Sequence, residues 1–239
     1  MTLTIVLSVN EGMVFATDSR GTIGDPRGIT AQNDTIKKQF KIDKHIVIQT
    51  SGANETGAIF IDEIQRWRES CKSEPSITET MLKLREILKL KYDDWYSKIP
   101  AFPVKDQPQR PALNLTISGY EKLGGKNVER IYLLSSQTDF APQLFNTGIC
   151  MTGIPLYAIY LTLRLYSRDM PLDGAKGLAS YVIAETASQD GKVGGPIQMM
   201  LIEQNGNVTE VDDNELKKIN TENENVNLKL KELFRKKKN

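Results

Sequence analysis

Residues 2–20 read TLTIVLSVNEGMVFATDSR, and the organisation of the chain can be built outward from this stretch. Thr2 to Val9 and Gly12 to Thr17 are rich in β-branched and apolar residues, and the polar Asn10-Glu11-Gly12 between them supplies the glycine of a tight turn. The pattern predicts an N-terminal hairpin. If Val9 faces Gly12 or Met13 across the turn, Thr2 comes opposite Ser19 or Arg20, so the second residue of the chain meets Asp18 and Arg20. Alternate residues share a strand face, which puts Asp18 at the end of the row Val14, Ala16. A carboxylate at the end of a partly buried row needs a cation.

A second hairpin is expected from Lys37 to Ile42 and His45 to Ser51 around the turn Asp43-Lys44. The same parity places Lys38 with Phe40 and Ile42 and leaves Lys37, Gln39 and Lys41 on an opposite, polar face. Lys38 is then the lysine on the apolar side, where burial lowers its pKa and a carboxylate restores its charge. Asp18 and Lys38 make a plausible pair, structural or catalytic. The stretch from Gly21 to Thr35, with three glycines and Pro26, reads as a loop.

Downstream the period changes. Asn54 to Cys71 carries Ile61, Ile64 and Trp67 on one helical face, and Ser76 caps a longer helix with the stripe Ile77, Met81, Leu84, Leu88, Tyr92, Trp95, Ile99. Both tryptophans fall on these stripes and are expected in the core. Four prolines between Pro100 and Pro111 end this helical pair. Strands are expected at Ala112 to Tyr120, Val128 to Leu134 and about Gln143 to Thr152, where Cys150 reads as a small buried hydrophobe. Two more helices follow: Pro155 to Arg168 with Tyr157, Ala158, Leu161 and Leu165 inward, and Leu172 to Ser188 with Ala175, Ala179, Val182 and Ile183 inward. Ile197 to Glu203 is a last strand. This order suits an α+β fold in four layers, two antiparallel sheets stacked between two helical layers. Residues 1–211 make one domain. Residues 212–239 form an amphipathic C-terminal helix or tail, in which Leu216, Ile219, Asn223, Val226, Leu230 and Leu233 mark an a/d seam. The basic end, Arg235 to Lys238, reads as a solvated terminus.

Composition narrows the functions. In 239 residues, 31 Lys+Arg against 30 Asp+Glu leave a formal charge of +1, so no global field favours nucleic acid. No apolar run is long enough for a membrane span, and the first strand lacks the marks of a signal peptide. Two cysteines, Cys71 and Cys150, make no disulfide framework, which points to a reducing cytoplasm. His45, the one histidine, sits in a turn and cannot supply a histidine-rich zinc site or, by itself, a triad. Hydrolytic chemistry in this chain therefore needs another base. Thr2 offers one: it is small enough for routine removal of Met1, and an N-terminal threonine carries a hydroxyl nucleophile and an α-amine base with an ordinary pKa of about 7.7 to 8.0. A nearby lysine ammonium lowers both pKa values by like-charge repulsion.

Five stretches resemble the proteasome β-subunit family of N-terminal nucleophile hydrolases: Thr2-Leu-Thr-Ile-Val6, Phe15-Ala-Thr-Asp-Ser-Arg20, Ile36-Lys-Lys-Gln-Phe-Lys-Ile-Asp43, Ile48-Gln-Thr-Ser-Gly52 and the glycine-rich Gln189 to Pro196. The Met-Thr start and extended C-terminus are also similar to the ancestral bacterial β-subunit homologues known as Anbu. The resemblance covers about residues 2 to 205 and implies the family's αββα sandwich. It implies Thr2 as nucleophile, Asp18 orienting Lys38, Lys38 tuning Thr2, Arg20 supporting the cluster, and Gly52 offering a backbone N–H to the oxyanion. Asp190 matches the distal aspartate near the nucleophile's amine. The chain departs from the family where hydroxyls are usual, reading Thr152-Gly-Ile-Pro155 and Val193. The implied activity is a cytoplasmic threonine-type peptidase acting on peptides or unfolded protein inside a ring or spiral of identical chains, with no metal or organic cofactor. The alternatives are a peptide ligase using the same acyl-enzyme and an inactive structural ring subunit.

Overall fold

The computed structural model describes residues 2–25, 28–100, 102, 104–105, 107–204 and 206–235. In chain order the elements are β1 (Leu3–Val9), β2 (Gly12–Thr17), β3 (Gly21–Asp25), β4 (Gly28–Asn33), β5 (Gln39–Lys41), β6 (Ile46–Gly52), α1 (Asn54–Ser70), α2 (Ile77–Trp95), β7 (Leu113–Leu123), β8 (Lys126–Ser135), β9 (Gln143–Leu144), β10 (Ile149–Gly153), α3 (Pro155–Leu165), α4 (Leu172–Gln189), β11 (Gln198–Glu203), β12 (Val208–Glu210) and α5 (Asp213–Arg235). Met1, Pro26 and Lys236 to Lys238 lie outside the described residues.

Two antiparallel five-stranded sheets organise the chain, β10-β1-β2-β11-β12 and β5-β6-β7-β8-β9. In the first, Val9 faces Gly12 and Thr4 faces Thr17, the register expected of the N-terminal hairpin. The apolar residues sort into three groups. Leu3, Ile5, Leu7, Val14 and Ala16 pack against Ala175, Ala179, Val182 and Ile183 of α4. Ile46, Ile48, Leu115 and Ile117 pack against Phe60, Ile64, Leu84 and Leu88 of α1 and α2. Val6, Phe15, Val47, Ile131, Cys150 and Met200 join the two sheets. The α2 start is fixed by a reciprocal capping box in which Ser76 and Glu79 exchange hydrogen bonds.

Several sequence expectations are corrected. The expected loop from Gly21 to Thr35 contains β3 and β4, which pair with each other as a separate two-stranded sheet. Pairing outside the main sheets leaves no apolar alternation to mark them, and Ile23 is exposed. The single strand expected from Gln143 to Thr152 is two: β9 extends one sheet, and β10 joins the other beside β1. The chain switches sheets through Gly148, whose φ of 78° is a left-handed conformation. Trp95 is exposed on one side while its ring packs 5.3 Å from Phe60. Tyr157 and Leu165, expected inward on α3, are also exposed. Gln39 is buried between the sheets and not on an open polar face, and β12 was not foreseen at all.

The C-terminal helix α5 docks on α4, but through polar groups. Lys176 pairs with Glu215, Ser180 with Asn220 and Asn227 with Glu185, and Asn223 Nδ2 donates to the Gly177 carbonyl. Of the expected seam only Leu216 is fully buried, while Val226, Leu230 and Leu233 are exposed.

At the β1–β10 seam Leu3 faces Gly153, which has φ 94° and passes so close to Thr2 that a Cβ would stand 1.7 Å from the Thr2 carbonyl oxygen. Gly153→Ala is expected to lower stability by at least about 2 kcal/mol in urea unfolding, because both the left-handed backbone and the contact resist a side chain. An unchanged midpoint would show that β10 does not hold the Thr2 end of β1 in this register.

Candidate active site

Thr2 stands just before β1, and Asp18 just after β2, because the hairpin register brings the open ends of these strands together. Asp18 and Lys38 both have side chains 0% exposed, and Lys38 Nζ lies 2.8 Å from Asp18 Oδ1. The same Oδ1 accepts the Leu3 N–H at 2.9 Å, so the ammonium is one carboxylate oxygen from the Thr2–Leu3 peptide. Asp18 Oδ2 accepts the backbone N–H groups of Arg20 and Gly194 at 3.2 and 3.1 Å. Lys38 Nζ also donates to the Arg20 carbonyl at 2.6 Å. Burial pulls the Lys38 pKa below its ordinary value, and the Asp18 charge opposes that shift. Lys38 precedes β5, so its direction is not bound by the alternation of that strand.

The expected support from Arg20 comes through its main chain. Its guanidinium instead forks onto Asp34, with Nε and Nη2 at 2.8 and 2.9 Å from the two carboxylate oxygens, and donates to the Gly191 carbonyl. The glycine-rich stretch is thereby explained in part: a Cβ at Gly194 would stand 2.5 Å from the guanidinium carbon. Asp190 is the C-cap of α4, and its carboxylate accepts the Lys192 N–H at 2.9 Å. No contact described for its side chain reaches Thr2.

A cleft of about 470 Å³ opens beside Thr2 between the ends of the two sheets. Gly52 lines it from the end of β6, with φ 94° and a would-be Cβ 1.9 Å from the Ala112 carbonyl. Asn114, Ser135, Met151, Thr152 and Gly153 complete the near walls. Two other hollows on the surface, of about 310 and 600 Å³, involve Lys44, His45, Lys122 and Asn127, and none of these residues has a described contact with Thr2 or the buried ion pair.

Two features here were not read from the sequence. A run of hydroxyls passes from Thr4 through Thr152 to Ser51, each step 2.8 Å, and Asn114 Nδ2 donates to Ser51 Oγ at 3.2 Å. Thr152 therefore places a buried hydroxyl next to the cleft although Ile154 and Val193 are apolar. The second is Asn54, whose Nδ2 lies 3.4 Å from Thr2 Oγ1. Its position two residues after Gly52 was the only available sign. Cys150 lies buried between the sheets, where desolvation pushes its thiol up to about 12, far from a reactive thiolate.

The buried pair separates structural from chemical roles by a double-variant test. Asp18→Asn or Lys38→Met alone leaves one charge buried without its partner and should cost about 3–5 kcal/mol. The double variant should regain part of that loss in thermal unfolding, the rest being backbone N–H groups that a carboxamide at position 18 cannot accept, yet show no reaction at Thr2. Full reactivity in the stable double variant would make the pair purely structural.

No family model and no curated protein matches this sequence. Among solved structures, the chain is similar to Anbu, an ancestral beta-subunit, from Yersinia bercovieri, with a TM-score of 0.73 at 19% identity over 97% of this chain and 96% of that one. The two proteins share a fold along nearly their whole lengths, the proteasome β-like fold to which the sequence resemblance pointed.

Proposed function

We propose that this protein is a threonine-type peptidase of the N-terminal nucleophile class, built as the four-layer αββα sandwich and working in the cytoplasm as an assembly of identical chains. The observation that carries the reading is the Asp18 carboxylate. One of its oxygens holds both the Lys38 ammonium and the backbone N–H that follows Thr2, and Thr2 itself lines a cleft of about 470 Å³.

Loss of Met1 frees the Thr2 amine. That amine takes the Thr2 hydroxyl proton as Oγ attacks the scissile carbonyl, and the electron pair of the carbonyl moves onto its oxygen. The Gly52 backbone N–H stabilises this oxyanion, and no side chain there obstructs the approach of the peptide. The resulting ammonium protonates the leaving amine, and an ester to Thr2 remains. Water activated by the same amine then releases the acid. Lys38, being positive and desolvated, lowers the pKa values of the neighbouring amine and hydroxyl toward the operating pH. Asp18 keeps the lysine charged and oriented.

Intact mass of the natively expressed protein, with and without a peptide epoxyketone, tests this reading. The expected result is loss of Met1 and a one-to-one adduct that Thr2→Ala abolishes. Retained Met1 and no adduct would leave a structural subunit as the better account. Product analysis with an added amine then separates hydrolysis from ligation.

The assembly is supported by α3, on which Leu156, Tyr160 and Leu163 are 71, 70 and 66% exposed. Large apolar side chains clustered on one helix favour a protein partner, and identical chains most often supply it. Leu163→Glu is expected to lower the mass measured by light scattering to that of a smaller species. A monomer in the parent protein at micromolar concentration would count against the assembly.

A further inference from the structure

Asn54 is the first residue of α1 and approaches Thr2 from the strand end that carries Gly52. Its Nδ2 donates toward Thr2 Oγ1 at 3.4 Å, longer than the roughly 2.7–3.2 Å of a well-formed N–H···O bond. Its Oδ1 is buried with no hydrogen-bond partner among the described residues. It does not cap the helix either, since the N-cap residue is Ala53 and no side chain satisfies that end. A buried carbonyl oxygen without a donor is destabilising, and a smaller residue at this position would avoid the loss. Local stability therefore gives no reason for an amide here.

The reaction does give one. When Thr2 Oγ bonds to a carbonyl carbon, the carbonyl oxygen becomes an anion two bonds from Oγ. A donor that stands slightly too far from Oγ in the resting protein is placed for that neighbouring atom. We propose that Asn54 is a catalytic residue whose Nδ2–H group is a second oxyanion donor beside the Gly52 backbone N–H. This rests on Thr2 being the nucleophile. In the attack, the Oγ–C bond forms, the carbonyl π pair moves to oxygen, and the hydroxyl proton passes to the Thr2 amine. The Asn54 N–H then shifts from a weak contact with Oγ to a charge-assisted bond with the oxyanion. An interaction that strengthens only along the reaction coordinate lowers the barrier without tightening substrate binding.

The test uses the full chain after mass-verified loss of Met1, with Asn54→Ala and Asn54→Asp. Both should slow acylation by a peptide β-lactone roughly a hundredfold. Both should weaken a peptide boronate, whose adduct is tetrahedral, by a similar factor, while affinity for the cleaved peptide acid stays unchanged. Asn54→Ala is the discriminating variant. It removes the unpartnered buried carbonyl oxygen together with the N–H, so it should keep or raise the melting temperature while reactivity falls. Acylation within about threefold of the parent in both variants would overturn the assignment and leave Thr2 as nucleophile intact. So would a loss of acylation that runs in parallel with lost product affinity and lost thermal stability. A parent protein that sheds Met1 and still does not acylate would overturn the Thr2 reading, and the role of Asn54 with it.

Discussion

The carboxylate of Asp18 is the point on which this structure depends. It is fully buried, and its two oxygens take four donors: Lys38 Nζ and the backbone N–H groups of Leu3, Arg20 and Gly194. A buried anion is tolerable only with this kind of saturation. The four donors come from the start of β1, the exit of β2, the approach to β5 and the loop between α4 and β11. One charge thus fastens segments from both ends of the chain around the residue that precedes β1. The arrangement also explains why the interior near Thr2 is polar. Thr4, Ser51, Thr152 and Gln49 replace aliphatic packing there, and Gln49 bridges the sheets by donating to the Ile5 and Ala16 carbonyls.

Much of this was legible because it rests on short-range rules. A two-residue turn fixes the β1–β2 register, and the register brings Thr2 toward Asp18 whatever the rest of the chain does. The helical stripes of α2 and α4 were readable because period and burial agree over many residues. Lys38 was found by an argument that does not hold in the structure. Strand parity put it with Phe40 and Ile42, whereas it lies ahead of β5 and is directed by its bonds to Asp18 and Arg20.

The misses share a cause: each depends on what a segment meets, which one sequence does not state. β3 and β4 pair with each other outside the two main sheets, and their sequences carry no apolar alternation. β9 and β10 form one β-rich run, and only the sheets that each joins divide it. The α5 seam has the right spacing, but α4 offers it amides and carboxylates, so its later apolar positions stay in solvent. Asn54 carries no motif, and its interest appears only once the distance to Thr2 Oγ1 is known.

The sheet order has a consequence for biosynthesis. β1 is flanked by β2 and β10, and β2 by β11, so the strand that presents Thr2 finds its second neighbour only after Gly153 has been made. The Gly194 bond to Asp18 spans 176 residues and closes later still. Contacts so distant along the chain form slowly, because the entropy of closing the loop is lost before any contact compensates it. On a ribosome, an emerging chain therefore carries the β1–β2 hairpin well before the residues that complete the surroundings of Asp18 have been made. The hairpin is thus made early and acquires its surroundings late.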